Sequence, residues 1–279
     1  MGQVVLITGC RSGFGLHMAV HAARAGHTVY AGLRDAGDAG ELLRAAGDLD
    51  VRPLQLDVTD ARQREDAVAR VVAETGRLDA LVNNAGTALG GPLEMIDEDE
   101  LRALFDLNVF APWALTKAAL PTMRAQGRGR VINISSMSGR QALPVLGAYA
   151  SSKFALEGMS EAWRRELADL GVDVILVEPG AYRTDIFGRN RRVARRAHDE
   201  PAYAELLRRF EAIYDRSVER MARDPEEVAA LVVRLLAAKR PVLRHPIGPA
   251  TLVRNLALRL LPQRAVEGLV AAALKRGSR

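Results

Sequence analysis

"VLITGCRSGFGLHMAV", residues 5–20, decides the fold. An apolar run meets three glycines, Gly9, Gly13 and Gly15, and continues at helical spacing. A strand that turns on glycine into a helix offers the turn the helix's unpaired N–H groups and positive dipole end. Glycine permits both the tight turn and a close backbone approach. By itself the stretch has two readings, a seat for a dinucleotide pyrophosphate or a merely tight turn. Its Gly-x3-Gly-x-Gly spacing departs from the more familiar Gly-x-Gly-x-x-Gly, and Arg11 stands in its middle.

Periodicity downstream supplies the frame. Residues 3–8, 28–33, 51–56, 80–83, 130–135 and 173–178 read as short apolar strands. Residues 13–25, 60–75, 98–123 (one long helix or two) and 148–170 read as helices between them. Strands alternating with helices of this length imply a parallel sheet covered on both faces. With right-handed crossovers, the expected fold is α/β, a Rossmann-like doubly wound sheet of about seven strands, with ligands outside the strand C-termini. Helices are expected at 202–221 and 225–238, and a last strand at 241–246. Residues 1–279 read as a single domain.

Composition excludes several classes. The chain has 279 residues, 48% of them apolar, and a formal charge of +5. Its one cysteine, Cys10, forms no internal disulfide and reads as a small, passive side chain in the turn. The N-terminal apolar run is too short and uncharged for a signal peptide, and no stretch is long enough to span a bilayer. A cytoplasmic protein is expected. No metal-binding pattern stands out. Basic residues are not interleaved with aromatic ones, so nucleic acid is not an expected partner.

Three strand ends carry polar residues toward the expected crevice. After the second strand come Arg34 and Asp35. Arg34 is the first polar side chain past the apolar run, and with Arg11 it suits the extra phosphate of NADP(H), because guanidinium matches phosphate in bidentate geometry. NAD(H), with Asp35 on the ribose, is the alternative. Asp57 in "LDVTD" is placed to accept from an adenine amino group, and Asn83 and Asn84 in "VNNAG" to fix backbone or ribose. Those two strings read equally as a helix N-cap (Thr59 or Asp60) and an ordinary turn.

"YASSK", residues 149–153, is the most specific string. Tyr149 and Lys153 share one helix face. A phenol near pKa 10 is a poor acid at neutral pH, and a nearby ammonium lowers that value. Ser136, just past the fifth strand, is placed to hold a carbonyl oxygen beside Tyr149, and Asn108 to serve a proton-relay water. Taken alone, a Tyr-x3-Lys pair on a helix is usually structural.

The motifs together resemble one family. "TGCRSGFG", "LDV", "NNAG", "LNV", "INISS", "YASSK" and "EPGAYRT" stand in the order of the short-chain dehydrogenase/reductases, over residues 3 to about 185. The resemblance implies a catalytic tetrad of Asn108 (relay), Ser136 (substrate-oxygen anchor), Tyr149 (general acid/base) and Lys153 (ribose binder and pKa depressor). It implies cofactor contacts from Gly9, Arg11, Ser12, Gly13, Phe14 and Gly15 in the turn, and from Arg34, Asp57 and Val58. Asn84, Ala85 and Gly86 follow, then Pro179, Gly180 and Thr184, with Tyr149 and Lys153 shared. "VYAGLRD" and "YASSKFALEGMSEAWRREL" look like the hydroxysteroid and retinol dehydrogenase branch, where an arginine at the position of Arg34 commonly goes with NADP(H).

The resemblance implies hydride transfer between nicotinamide and a hydrophobic carbonyl or secondary alcohol. Rival readings are an NAD-linked alcohol dehydrogenase, a 3-oxoacyl thioester reductase, and a catalytically silent dinucleotide sensor. Residues 180–222 are expected to form a substrate lid. The arginines Arg183, Arg189, Arg191, Arg192, Arg195 and Arg196 within it serve a lid, an anionic substrate or a solvated loop. Residues 247–279 are expected to be a helical extension packed near the substrate entrance, with peripheral membrane contact the weaker reading. The tail departs from the wider family, which puts its common tetramer in doubt and favours a homodimer through the long helices.

Overall fold

The structure, a computed structural model, describes residues 2–184, 192–248 and 251–276. Seven strands form its main sheet: β1 (Val4–Thr8), β2 (Thr28–Leu33), β3 (Val51–Gln55), β4 (Ala80–Asn83), β5 (Gly129–Ile134), β6 (Val172–Pro179) and β7 (Arg244–Ile247). All pairings are parallel, in the order β3-β2-β1-β4-β5-β6-β7. The order reverses between β1 and β4, and a crevice opens at such a switch point beyond the strand C-termini.

β1 shows why the sheet is buried on both faces. Val5 and Ile7 enter one apolar core, with Met18 of α1 (Gly13–Arg24) and Val232 of α8 (Glu226–Ala237). Val4 and Leu6 alternate into the other core. That core holds Val71 of α3 (Ala61–Thr75) and Leu115 and Met123 of α5 (Ala111–Ala125). α2 (Gly40–Ala46) contributes Leu42 to the first core.

Of the two readings of residues 98–123, one long helix or two, the structure has the second. α4 (Glu98–Phe105) begins in a capping box of Asp97 and Glu100, and α5 follows a π-helical turn at Asp106–Phe110. Pro112 lacks the N–H that would close an α-helical bond on the Asn108 carbonyl. The turn widens there, and the Ala111 N–H bonds Asp106 O instead. α6 (Gly147–Glu166) runs unbroken and buries Tyr149, Lys153 and Glu157 along one side.

Beyond β6 the boundaries shift modestly. α7 (Ala204–Met221) is preceded by a 3-10 turn at Pro201–Tyr203, and the last strand lies a few residues later than 241–246. It pairs only with β6, so Pro246 sits on an edge strand where a missing donor is tolerated. The tail forms α9 (Thr251–Leu260) and α10 (Gln263–Arg276), which pack on each other, with α9 against β7 and α10 against α7. Among the described residues no helix is long and apolar enough to cross a membrane. Arg189 and Arg191 lie outside the described residues.

Candidate active site

The glycine turn is built by steric necessity. Gly9 and Gly13 adopt φ of +72° and +56°, which L side chains rarely adopt. Gly15 has ordinary φ, yet a Cβ there would lie 2.1 Å from the Gly9 carbonyl oxygen. Its role is close packing of α1 under the turn, and it does not line the cavity in front. Asn84 locks the turn from β4: its Nδ2 donates to Thr8 O at 2.8 Å and Gly9 O at 3.2 Å. Asn83 points the other way, into a buried network with Thr116 and Asn133. Cys10 is fully buried, burial pushes its thiol pKa up, and its Sγ donates to Ile7 O.

One cavity of about 260 Å³ runs from this turn to α6. Every site residue expected from the sequence lines it except Gly15, Asn83 and Asn108. Leu33, Asp35, Asp38, Leu56, Leu107, Ile134, Ser135 and Tyr182 line it as well. Leu33, Leu56, Leu107 and Ile134 are apolar neighbours of motif residues and carry no chemical signal in a sequence. Tyr182 is different: its ring meets Phe14 edge-on with centroids 5.4 Å apart, and its hydroxyl donates to Glu227.

At the β2 end, Arg34 is exposed and its carbonyl accepts from Gln55 Nε2 at 2.6 Å. Arg11 lies 3.6 Å from Asp38 across the mouth. Asp35 accepts from the Gly37 N–H in a local turn, and Asp57 similarly holds the Thr59 N–H and hydroxyl. The first turn of α1 contains no acidic residue. An acid-free helix N-terminus, positive-φ glycines in front of it and two arginines at one end fit a phosphate-bearing dinucleotide.

At the α6 end, Tyr149 and Lys153 are 2% and 5% exposed. Burial pushes the Tyr149 phenol up to about 12, against a smaller lowering by its hydrogen bond with Ser136. Burial pulls Lys153 down to about 8, opposed by the Glu157 charge. The lowering of Tyr149 expected from the ammonium is therefore not the dominant effect in the protein alone. Lys153 Nζ sits 5.9 Å from the Tyr149 ring centroid and donates instead to Ile134 O at 2.9 Å. Ser136 Oγ also accepts from the Ser138 N–H.

Asn108 stands behind the cavity. Its Oδ1 accepts from the Thr87 N–H, and its Nδ2 donates to Thr87 O and Ser152 Oγ. Ser152 Oγ in turn donates to Tyr149 O at 2.7 Å. The side chain thus ties the loop after β4 to the first turn of α6. Of the described lid arginines, Arg195 pairs with Asp97 and Asp99 and Arg196 with Asp199, while Arg183 donates to Ala222 O. Arg192 lies in a two-residue strand paired with Leu89–Gly90. None of these four lines the cavity.

A doubly wound parallel sheet with a glycine turn and a Ser–Tyr–Lys group on one cavity defines a class, the nicotinamide-dependent oxidoreductases acting on CH–OH groups. The family model described as short chain dehydrogenase matches residues 3–194. The chain belongs to the short-chain dehydrogenase/reductase family. It is 37% identical over 248 residues to a 3-ketodihydrosphingosine reductase of Bacteroides thetaiotaomicron, covering 88% of each chain. It is 38% identical over 256 residues to human 17-beta-hydroxysteroid dehydrogenase type 1, covering 87% of this chain and 76% of that one. A short-chain dehydrogenase from Streptomyces avermitilis superposes over the whole of both chains with a TM-score of 0.82 and 37% identity. A metagenomic short-chain oxidoreductase in complex with NADP superposes with a TM-score of 0.70 and 27% identity, over 89% of this chain and 97% of that one.

Proposed function

We propose that the protein is an NADP(H)-dependent reductase of hydrophobic ketones, working reversibly on the corresponding secondary alcohols. The observation that carries this reading is the convergence of Ser136, Tyr149 and Lys153 on the same cavity as the glycine turn and Arg34. The bound nicotinamide supplies the hydride. Gly9 to Phe14 hold the pyrophosphate, and Arg34, with Arg11, receives the ribose phosphate. The NADP-bound relative and the exposed guanidinium past β2 support that choice over NAD(H).

Ser136 Oγ donates to the substrate oxygen and fixes its place beside Tyr149. The Tyr149 hydroxyl delivers its proton to that oxygen as negative charge develops there, and takes it back in the oxidising direction. A phenol buried up to about 12 stays protonated until that charge appears. Lys153 supplies positive charge beside the phenol, and general acid catalysis of this kind is worth roughly 10²–10⁴-fold. Asn108 acts as a positioning residue through Thr87 and Ser152.

Of the segment 180–222, the described residues 180–184 and 192–222 serve as part of a lid of one Rossmann domain, and of 247–279 the described residues 251–276 serve as its helical extension. Residues 185–191, 249–250 and 277–279 lie outside the described residues. Phe110, Trp113 and Phe154 are exposed on the outer sides of the π-turn, α5 and α6, which supports a homodimer through those helices. The test is Tyr149→Phe assayed with NADPH and a panel of ketosteroids, retinal, quinones and acetoacetyl thioesters. Turnover should fall at least a thousandfold, on the order of the general-acid contribution, while NADPH binding persists. Undiminished turnover overturns the assignment.

A further inference from the structure

A second cavity of about 260 Å³ adjoins the loop that joins Ser136 to Tyr149. Leu143 and Pro144 of that loop form one wall, Phe210 and Ile213 of α7 another, and Leu258 and Val266 of α9 and α10 a third. Phe210 is seated by packing with Val145, Leu146 and Leu207. Val145 holds this loop with φ of +69°, a backbone conformation costly for a β-branched residue and maintained only by its surroundings.

Two polar side chains face this apolar space, Gln141 and Arg254. Arg254 Nε donates to Gln141 Oε1 at 2.7 Å. Its Nη2 is buried without a hydrogen-bond partner. Among the described residues no acidic group contributes to its electrostatic surroundings, and burial lowers its pKa. The partly buried Arg130, Arg164 and Arg244 all meet carboxylates. A guanidinium stays charged, and leaving one desolvated without a counter-ion is destabilising. Its free edge is a donor for an oxyanion.

We propose that this cavity binds an aliphatic carboxylate, its chain among Leu143, Phe210 and Leu258 and its head on Arg254, and that the physiological substrate carries this group. The substrate is then a long-chain oxo acid. This rests on the reductase reading of the first cavity. Pro144 lies five residues before Tyr149, so at about 3.6 Å per residue it is within about 18 Å of the proton donor. An extended long-chain ligand is long enough to cover that distance.

The test uses full-length protein and three probes of equal chain length: decanoate, decan-1-ol and decylammonium. Calorimetry should show decanoate binding about tenfold or more tighter than the alcohol, with decylammonium weakest. Arg254→Met should erase the preference and Arg254→Lys retain part of it. Leu258→Trp, which fills the cavity and leaves the arginine in the chain, should block decanoate even if Arg254→Met fails to fold. Decanoate should compete with a neutral ketone substrate and leave the KM for NADPH unmoved. Equal affinity for decanoate and decanol, or a preference indifferent to Arg254→Lys and Leu258→Trp, overturns the site. Binding without competition overturns its link to the substrate. If no ketone in the panel is reduced while decanoate binds through Arg254, the reductase reading fails and the carboxylate site stands.

Discussion

Lys153 Nζ lies 5.9 Å from the centroid of the Tyr149 ring, on the same buried face of α6. Burial drives the two groups in opposite senses, Tyr149 up to about 12 and Lys153 down to about 8. Each shift favours the neutral form. The ammonium is therefore held in the site at a cost to the fold.

That cost has a defined pH signature. Lys153 has a folded pKa below its ordinary 10.5, so the unfolded chain binds more protons between about pH 8 and 10.5. Its contribution to stability is complete above 10.5 and is lost as pH falls through about 8. Lys153→Met should stabilise the protein at pH 7 by up to about 3 kcal/mol, and the gain should vanish toward pH 10.5. Urea unfolding at pH 7, 8.5 and 10 measures it. The same variant should lose NADPH reductase activity at every pH, and in the parent enzyme activity should decline as pH rises past about 8.

Asn108 joins Thr87 to Ser152, and through Ser152 reaches the Tyr149 backbone. Asn108→Ala removes three buried hydrogen bonds and should destabilise the protein by about 2–4 kcal/mol. Asn108→Asp keeps the size but turns the donor edge into an acceptor facing Thr87 O, and should be nearly as harmful. Denaturant midpoints check both. If Asn108→Asp matched the parent, the hydrogen bonds would carry none of the effect.

The glycines of the turn should separate by mechanism. A Cβ at Gly15 strikes the Gly9 carbonyl at 2.1 Å, whereas one at Gly13 meets only the Thr184 methyl region at 3.5 Å. Gly15→Ala should cost about 3 kcal/mol through overpacking and deform the phosphate seat. Gly13→Ala bears only the left-handed backbone penalty of about 1–2 kcal/mol. Thermal unfolding together with NADPH titration distinguishes them.

Arg34 is exposed past β2, while Arg11 is drawn 3.6 Å from Asp38. Arg34→Ala should weaken NADPH about ten- to a hundredfold, the loss of one charge-assisted hydrogen-bonding group, and leave NADH nearly unchanged. Arg11→Ala should cost less, because an exposed pair with Asp38 already competes for its charge. Fluorescence titration with both nucleotides gives the four constants. Equal losses for NADPH and NADH in Arg34→Ala would remove the basis for the NADP(H) preference.

The strands from β1 to β6 were legible to within a residue or two because most are short apolar runs bounded by polar turns, the mixed β3 (VRPLQ) being the exception. Glycines and strand-end polar residues were legible for the same reason, since local chemistry marks them. The periodicity at 98–123 left one helix or two open and did not place the division at Asp106–Phe110, because Pro112 acts on a carbonyl four residues earlier without interrupting the apolar stripe. Tyr182 and Arg254 gave no signal at all. Their importance comes from partners distant in the chain, Phe14 and Glu227 for one and Gln141 for the other. The direction of the Tyr149 shift also depends on burial, which sequence spacing does not reveal.

Arg244 illustrates the same dependence and yields a sharp expectation. From β7 its Nε reaches Glu157 at 3.1 Å and Glu178 at 3.4 Å, and its Nη2 reaches Glu161 at 3.0 Å. Glu157 and Glu178 are 4% and 0% exposed, and Arg140 meets Glu178 from the loop after β5. Burial and the neighbouring Glu178 charge push Glu157 up to about 7 despite the guanidiniums. A carboxyl raised above its unfolded value contributes stability that is full below about 4.5 and is lost as pH rises through about 7. Arg244→Met removes the cation paired with buried Glu157, while Glu178 keeps Arg140, and should cost about 3–5 kcal/mol at pH 8. At pH 5.5 Glu157, raised to about 7, can take up a proton, so the loss should be smaller. Urea unfolding of parent and variant at both values tests this, and an equal or larger loss at pH 5.5 would show that Arg244 acts by packing and not by its charge.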